Sequence, residues 1–374
     1  MRTFAPMYEH QGLQDFFFIT LYGWATLLAV LVCFYFLFSR GNLFSKTNVP
    51  PKELRRWAAA FMASVAASHV WWYVLGVFFL VDDRLVRNIV GIMLDRLTFV
   101  PLMMCVLIRM LQDRRRPLWP VAVAFVPIAV IAVYCIVTRN DQFELVTEYY
   151  SIFVGLVFII YYVCAVRQYG HWLHDNYADL ERKELWQSLL LLACILFIYI
   201  AYTSNEGDIA TEYLAQLNTL MIIGFLLWRV ETLQTLTPIP LDPIVEENVE
   251  GAPKGISIGT LLEQHCDAKQ LYLQHDLTLQ QLAIAIGTNR TYLGNYFVQQ
   301  GITYNAYINH LRVEHFIRIY RENRASSQSI TAIQLARQSG FYSYSTFSVA
   351  FKKFMGITVS EWMKSEESAQ NPSI

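Results

Sequence analysis

Residues 330–362, ITAIQLARQSGFYSYSTFSVAFKKFMGITVSEW, hold the side chains of this 374-residue chain best suited to gripping a polymer. Leu335, Ala336, Gly340 and Phe341 form one apolar face, and Phe347 and Phe351 recur four apart. That spacing predicts two short helices joined by a tight turn. Gly340 stands where the first should stop, because a residue without Cβ enters the left-handed conformation freely. Ser343 or Ser345 can cap the second, and Lys352 and Lys353 load its C-terminal end with positive charge. Aromatic rings on one face, with hydroxyls and lysines on the other, suit a helix laid in the major groove of DNA.

The same layout occurs once more upstream. Asp276 or Thr278 can cap a helix through Leu279, Leu282, Ala283 and Ile286, which Gly287 ends; Asn289 caps the next, running through Leu293 and Phe297 to Gly301. A long helix over about residues 303–323 separates the two copies. Leu282, Ala283, Leu335, Ala336, Phe341, Phe347 and Phe351 are expected in the core. Residues 257–364 carry ten Lys and Arg against six Asp and Glu, a net +4, which is a moderate electrostatic footprint for phosphate.

The chain before residue 230 has another texture. Overall 55% of residues are hydrophobic and only 16% charged, with a mean hydropathy of +0.32. Soluble domains hold about 25% charged residues, so part of this chain belongs in lipid. Seven apolar runs are expected to span, at about residues 16–38, 57–80, 89–111, 117–137, 146–166, 185–202 and 213–230. The first is too long, and its start too weakly basic, for a cleaved signal peptide. Arg and Lys concentrate in the first, third and fifth connections (Arg40, Lys46, Lys52, Arg55, Arg56; Arg114, Arg115, Arg116; Arg167, Arg182, Lys183). The positive-inside rule then puts the N-terminus, residues 1–15, outside and the C-terminus in the cytoplasm. Residues 231–255 read as a Pro/Gly-rich acidic linker, residues 256–364 as the soluble helical domain and residues 365–374 as a tail.

Within the spans, ionisable groups are expensive and therefore candidate functional residues. His69, Trp72, Asp95 and Arg96 form a possible signal pocket; Asp95 and Arg96 are neighbours in sequence and point about 100° apart on a helix, so each should find its partner on another helix. The alternative is that they fix helix packing. Five of the six cysteines lie in apolar runs, and none has zinc-ligand or redox spacing. His171 and His174 alone are too weak a metal signal. No Lys in the seventh run could carry a retinal Schiff base, and no His-Glu-x-x-His or Gly-x-Ser-x-Gly motif occurs within the apolar runs. The expectation is a non-enzyme with no cofactor and no metal.

The paired units, LTLQQLAIAIGTNRTYLGNYFVQQGITYNAYINHLRVEHF and then residues 330–362, resemble the double helix-turn-helix DNA-binding domain of AraC/XylS-family transcription regulators. The resemblance covers roughly 100 residues. It departs at Val359, where the family usually has Pro, at Phe316, where a small residue is usual, and at Gly294, where a polar side chain is common. Seven apolar runs also replace the usual cupin-like effector domain. The fold implied is all-α, a seven-transmembrane helix bundle followed by a soluble double helix-turn-helix domain. By the resemblance, the recognition helices are residues 290–300 and 343–354. Arg290, Thr291 and Asn295 would contact bases or nearby phosphates on the first; on the second, Tyr344, Thr346, Ser348 and Val349 would be exposed, with Lys352 and Lys353 on phosphates. The function implied is a one-component regulator in the inner membrane that binds double-stranded promoter DNA. It would answer an unidentified small-molecule or membrane-protein signal, with membrane lipid around it and a homodimer possible. The rival is a membrane receptor or transporter whose C-terminal helices bind a protein.

Overall fold

The computed structural model describes residues 13–44, 50–74, 84–140, 142–180, 183–186, 188–189, 193, 209–236, 257–325 and 331–370. Among these residues the chain is helical without a named strand. It divides into two compact units, one of residues 1–169 and 185–239, the other of residues 170–184 and 240–374.

The first unit contains α1 (Leu13–Phe38), α2 (Lys52–Val74), α3 (Arg84–Met110), α4 (Trp119–Thr138), most of α5 (Glu144–Asn176) and α6 (Ile209–Thr232). On α1 the buried residues include Phe18, Ala25, Ala29, Val32 and Phe36, a stripe of helical period, while Trp24, Leu27, Leu31 and Phe34 are exposed. Small residues in the stripe let α2 approach closely. Five helices are long and apolar enough to cross a membrane: Phe16–Phe38, Ile89–Met110, Trp119–Thr138, Leu145–Asn176 and Tyr213–Thr232. Five of the seven expected runs coincide with these helices among the described residues. The second expected run falls on α2, which packs against α1, α3 and α6 and so needs little apolar surface outward; its expected end, residues 75–80, lies outside the described residues. So does nearly all of the sixth run, residues 185–202.

Buried polar groups hold this unit together. The Glu231 carboxylate, fully buried at the end of α6, receives Arg55 at 2.7 and 2.8 Å and the Tyr35 hydroxyl at 2.9 Å. Arg55 spends its other N–H groups on the carbonyls of Ser39 and Gly41. A charge so enclosed is tolerable only when its hydrogen bonds are filled, as here. Residue 231, read from sequence as the first of the linker, is thus part of α6, which ends at Thr232, with Leu233 and Leu236 also buried. Residues 237–255 of the expected linker lie outside the described residues.

In the second unit α7 (Ile258–Leu262) runs into a π-turn, and Leu271–Leu273 form a 3-10 turn. Then come α8 (Leu279–Ala285), α9 (Arg290–Gln299), α10 (Tyr304–Ala325), α11 (Ala332–Gln338), α12 (Tyr344–Met355) and α13 (Val359–Gln370). Helices α8 and α9 make the first module and α11 and α12 the second. The long α10 serves both: Tyr304 and Ile308 enter the first core, Val313, Phe316 and Tyr320 the second. All seven residues expected in the core are buried. Phe316, where the resemblance suggested a small residue, fills the second core, its ring centroid 4.3 Å from Phe347 and 5.8 Å from Phe351. Val359 is buried in the same cluster. Residues 365–370, read as tail, continue α13, and Glu366 takes Arg321 of α10 at 2.7 Å.

Candidate nucleic-acid interface

Each helix that opens a module begins with the same device. Thr278 accepts from the Gln281 N–H at 3.2 Å while the Gln281 side chain accepts from the Thr278 N–H at 2.9 Å. Thr331 and Gln334 repeat it before α11, and Thr358 and Glu361 before α13. Such reciprocal caps satisfy two otherwise orphaned amides and fix where each helix starts. Hydrogen bonds from the Thr358 backbone and side chain hold the Glu361 carboxyl below its usual range. Of the alternatives open in the sequence, Thr278 rather than Asp276 caps α8, and Ser343 rather than Ser345 caps α12. Asn289 caps α9 as expected, its side chain accepting from Tyr292 N–H at 2.9 Å.

The turns are set by Gly287 (φ 73°) and Gly340 (φ 89°). At Gly287 a Cβ would meet open space, whereas at Gly340 it would lie 2.9 Å from the Tyr272 carbonyl oxygen and the Leu273 Cα. That close approach is the seam between the modules. Arg312, 1% exposed in mid-α10, donates to the carbonyls of Tyr272 and Gln274 at 2.7 Å and of His275 at 3.2 Å. Its guanidinium also lies 5.7 Å from the Phe341 ring centroid, and His275 Nδ1 sits 2.9 Å from the Gly340 carbonyl oxygen. Burial lowers the Arg312 pKa to about 10, which leaves it charged at neutral pH. One cation thereby ties the segment before α8 to α10 and to the turn of the second module. No sequence periodicity pointed to Arg312; an arginine in the middle of an otherwise core-facing helix stripe was the available signal.

On α9, Thr291 and Asn295 are exposed, and Gln299, one turn further on the same face, joins them. Arg290 at the first helical position is half-buried, with Nε and Nη2 donating to Asn176 Oδ1 at 2.9 and 2.7 Å. Burial lowers its pKa, while the neighbouring Tyr177 and Asp175 act to raise it. Gly294 is half-buried with ordinary room for a side chain.

On α12 the expected exposed set divides. Val349 is 70% exposed, and Lys352 and Lys353 are open to solvent. Thr346 and Ser348 are half-buried, and Tyr344 turns its ring toward Phe347, 5.6 Å away, to complete the second core. A tyrosine at the first turn of a short helix reaches back over the core more easily than outward. Ser345 takes the outward place, four residues before Val349 and seven before Lys352.

Residues 282–365 match a protein-family profile described as "Helix-turn-helix domain". This region is an AraC-type helix-turn-helix domain. The match runs from within α8 into α13, so it covers the second module and all but the first turn of the first, and such domains belong to DNA-binding transcription regulators. No curated protein and no solved structure was found to match the chain.

Three of the residues marked as a possible signal pocket each bond a neighbouring helix. His69 Nε2 lies 3.0 Å from Gln216 Oε1 of α6 and Nδ1 2.8 Å from the Val65 carbonyl oxygen, and its ring sits 4.4 Å from Tyr22 of α1. Asp95 accepts from Ser68 of α2 at 2.6 Å, and Arg96 donates to Thr147 of α5 at 2.7 Å. Asp95 and Arg96 do find separate partners on other helices, as their spacing required. The side chain of Trp72 lies outside the described residues.

Proposed function

We propose that the chain is a one-component transcription regulator of the inner membrane, which receives a signal in its N-terminal helices and reads promoter DNA with its AraC-type domain. The rigid coupling of two exposed recognition faces through Arg312 carries this reading, since two helices at fixed spacing can enter successive major grooves. Arg290, Thr291 and Asn295 read bases in the first groove. Val349 with Thr346 and Ser348 contacts thymine methyls and shape in the second, and Lys352 and Lys353 hold phosphates. Membrane insertion is supported by five apolar helices with large outward-facing side chains. Seven spans, with the N-terminus outside, bring the basic loops and the DNA-binding domain to the cytoplasmic side. The signal acts on the polar pairs around His69, Asp95 and Arg96, whose rearrangement distinguishes two states of the bundle.

The test is genome-wide mapping of DNA cross-linked to the full chain in cells, alongside Arg290→Ala/Asn295→Ala. A few sharp promoter peaks, lost in the double variant while the protein stays in the membrane fraction, are expected. Peaks that survive the double variant contradict the site; recovery of the wild-type protein without any DNA contradicts the function and favours a protein-binding role.

A further inference from the structure

Residues 170–184 lie between two parts of the first unit in sequence, yet pack as part of the DNA-binding unit. Ala178 is fully buried in the core of the first module. Its N–H donates to the Leu277 carbonyl at 3.2 Å, and Tyr177 pairs with Thr278 in a β-bridge. Asn305 Nδ2 at the start of α10 donates to the Ala178 carbonyl at 2.7 Å, and Lys183 reaches Asp276 at 3.1 Å. These bonds fasten the segment beside the N-terminal ends of α8 and α10.

Asn176, the last residue of α5, is 2% exposed. Its Nδ2 donates to the Trp172 carbonyl at 2.7 Å, which aims Oδ1 at Arg290. That oxygen takes Nε and Nη2 together, and these form one edge of the guanidinium fork. Bidentate recognition of guanine can use this edge or the Nη1/Nη2 edge, and in helix-turn-helix complexes the N-terminal residues of the recognition helix contact the bases. A duplex that takes the Nε/Nη2 edge of Arg290 competes with Asn176 for the same donors.

We propose that residues 170–180 form an intramolecular clasp on the first recognition helix, which must release Arg290 before this module reads DNA. The inference rests on the function proposed above. Because residues 170–176 continue α5 directly, a signal that shifts or unwinds the end of that helix opens the clasp without needing the interdomain linker.

The experiment uses the full chain in lipid nanodiscs and a duplex selected by the wild-type protein from a random pool. Asn176→Ala frees the Arg290 edge, and Asn305→Ala loosens the segment without touching either partner. Each is expected to tighten binding roughly three- to tenfold, as removal of a closed-state penalty does, with faster amide exchange over residues 176–180. Arg290→Ala added to Asn176→Ala should abolish the gain. Unchanged or weaker binding by both single variants, with Arg290→Ala still weakening the wild type, would overturn the clasp and leave the proposed function standing. If the wild type selects no duplex, or Arg290→Ala changes nothing, both fall.

Discussion

The two modules of the AraC-type domain are built alike and equipped differently. Both open with a Thr–Gln capping box, turn on a glycine with positive φ and bury one face of a recognition helix. The first offers Thr291, Asn295 and Gln299, with Arg290 engaged by a segment from the other half of the sequence. The second offers Ser345, Val349 and two free lysines. Amide and guanidinium groups discriminate base pairs, whereas lysines and a valine mostly hold the backbone and sense methyl groups. On the function proposed above, the difference separates tasks: the second module would anchor the domain on DNA, and the first would supply sequence reading and its control.

The deepest contrast between the modules is at their turns. Gly340→Ala should cost more than about 3 kcal/mol, because left-handed strain is added to overlap with backbone. Gly287→Ala, strained but unobstructed, should cost about 1–2 kcal/mol. Melting of the two full-length variants in detergent measures the gap, and equal losses would remove the asymmetry.

Next is the seam. Arg312→Met leaves three backbone carbonyls without their donor and should destabilise the domain by about 2–3 kcal/mol. It should also weaken binding to a two-groove site more than to either half-site, read by titration with full and half duplexes. Equal weakening on all three duplexes would show that Arg312 does not set the spacing.

The division of tasks predicts opposite signatures for the two faces. Lys352→Ala/Lys353→Ala should lower affinity for all duplexes alike and reduce the slope of log K against log salt by about 2. Asn295→Ala should cost about 1–3 kcal/mol on the preferred sequence only and leave the slope unchanged. Exchange of these signatures would reverse the assignment.

The smallest expected effect is on pH. His315 Nδ1 faces the Tyr272 hydroxyl at 3.1 Å and Arg318 at 2.7 Å, so it accepts, and burial followed by the Arg318 charge lowers its pKa. Folded protein then holds fewer protons than unfolded protein just below the ordinary histidine value of about 6.5. Stability should be full above that value, decline as pH falls toward the lowered pKa and level off below it. His315→Gln should flatten this dependence in melting curves between about pH 5 and 7.

Much of the DNA-binding domain was legible because its signals are local. Asn289, Gly287 and Gly340 act within four residues of their effect, and the Phe347/Phe351 repeat marks a face directly. What escaped was non-local. Arg312 closes its bonds across about 40 residues, and Asn176 reaches Arg290 across 114, so neither partner can be read in a window of helical length. Tyr344 was misjudged because position on a helical wheel does not fix where a long side chain lies at the first turn. In the N-terminal unit, five apolar runs coincide with helices long and apolar enough to cross a membrane, while α2 carries more charge and packs against three neighbours.

The central claim is that Arg290 and Asn295 read sequence for a membrane-held AraC-type domain. It is tested most directly by competition binding of the full chain in nanodiscs, comparing wild type with Arg290→Ala/Asn295→Ala on the selected duplex and on a scrambled one. The account predicts that the double variant binds the selected duplex no better than wild type binds the scrambled one, with the salt slope nearly kept. Undiminished preference for the selected duplex in the double variant would contradict it.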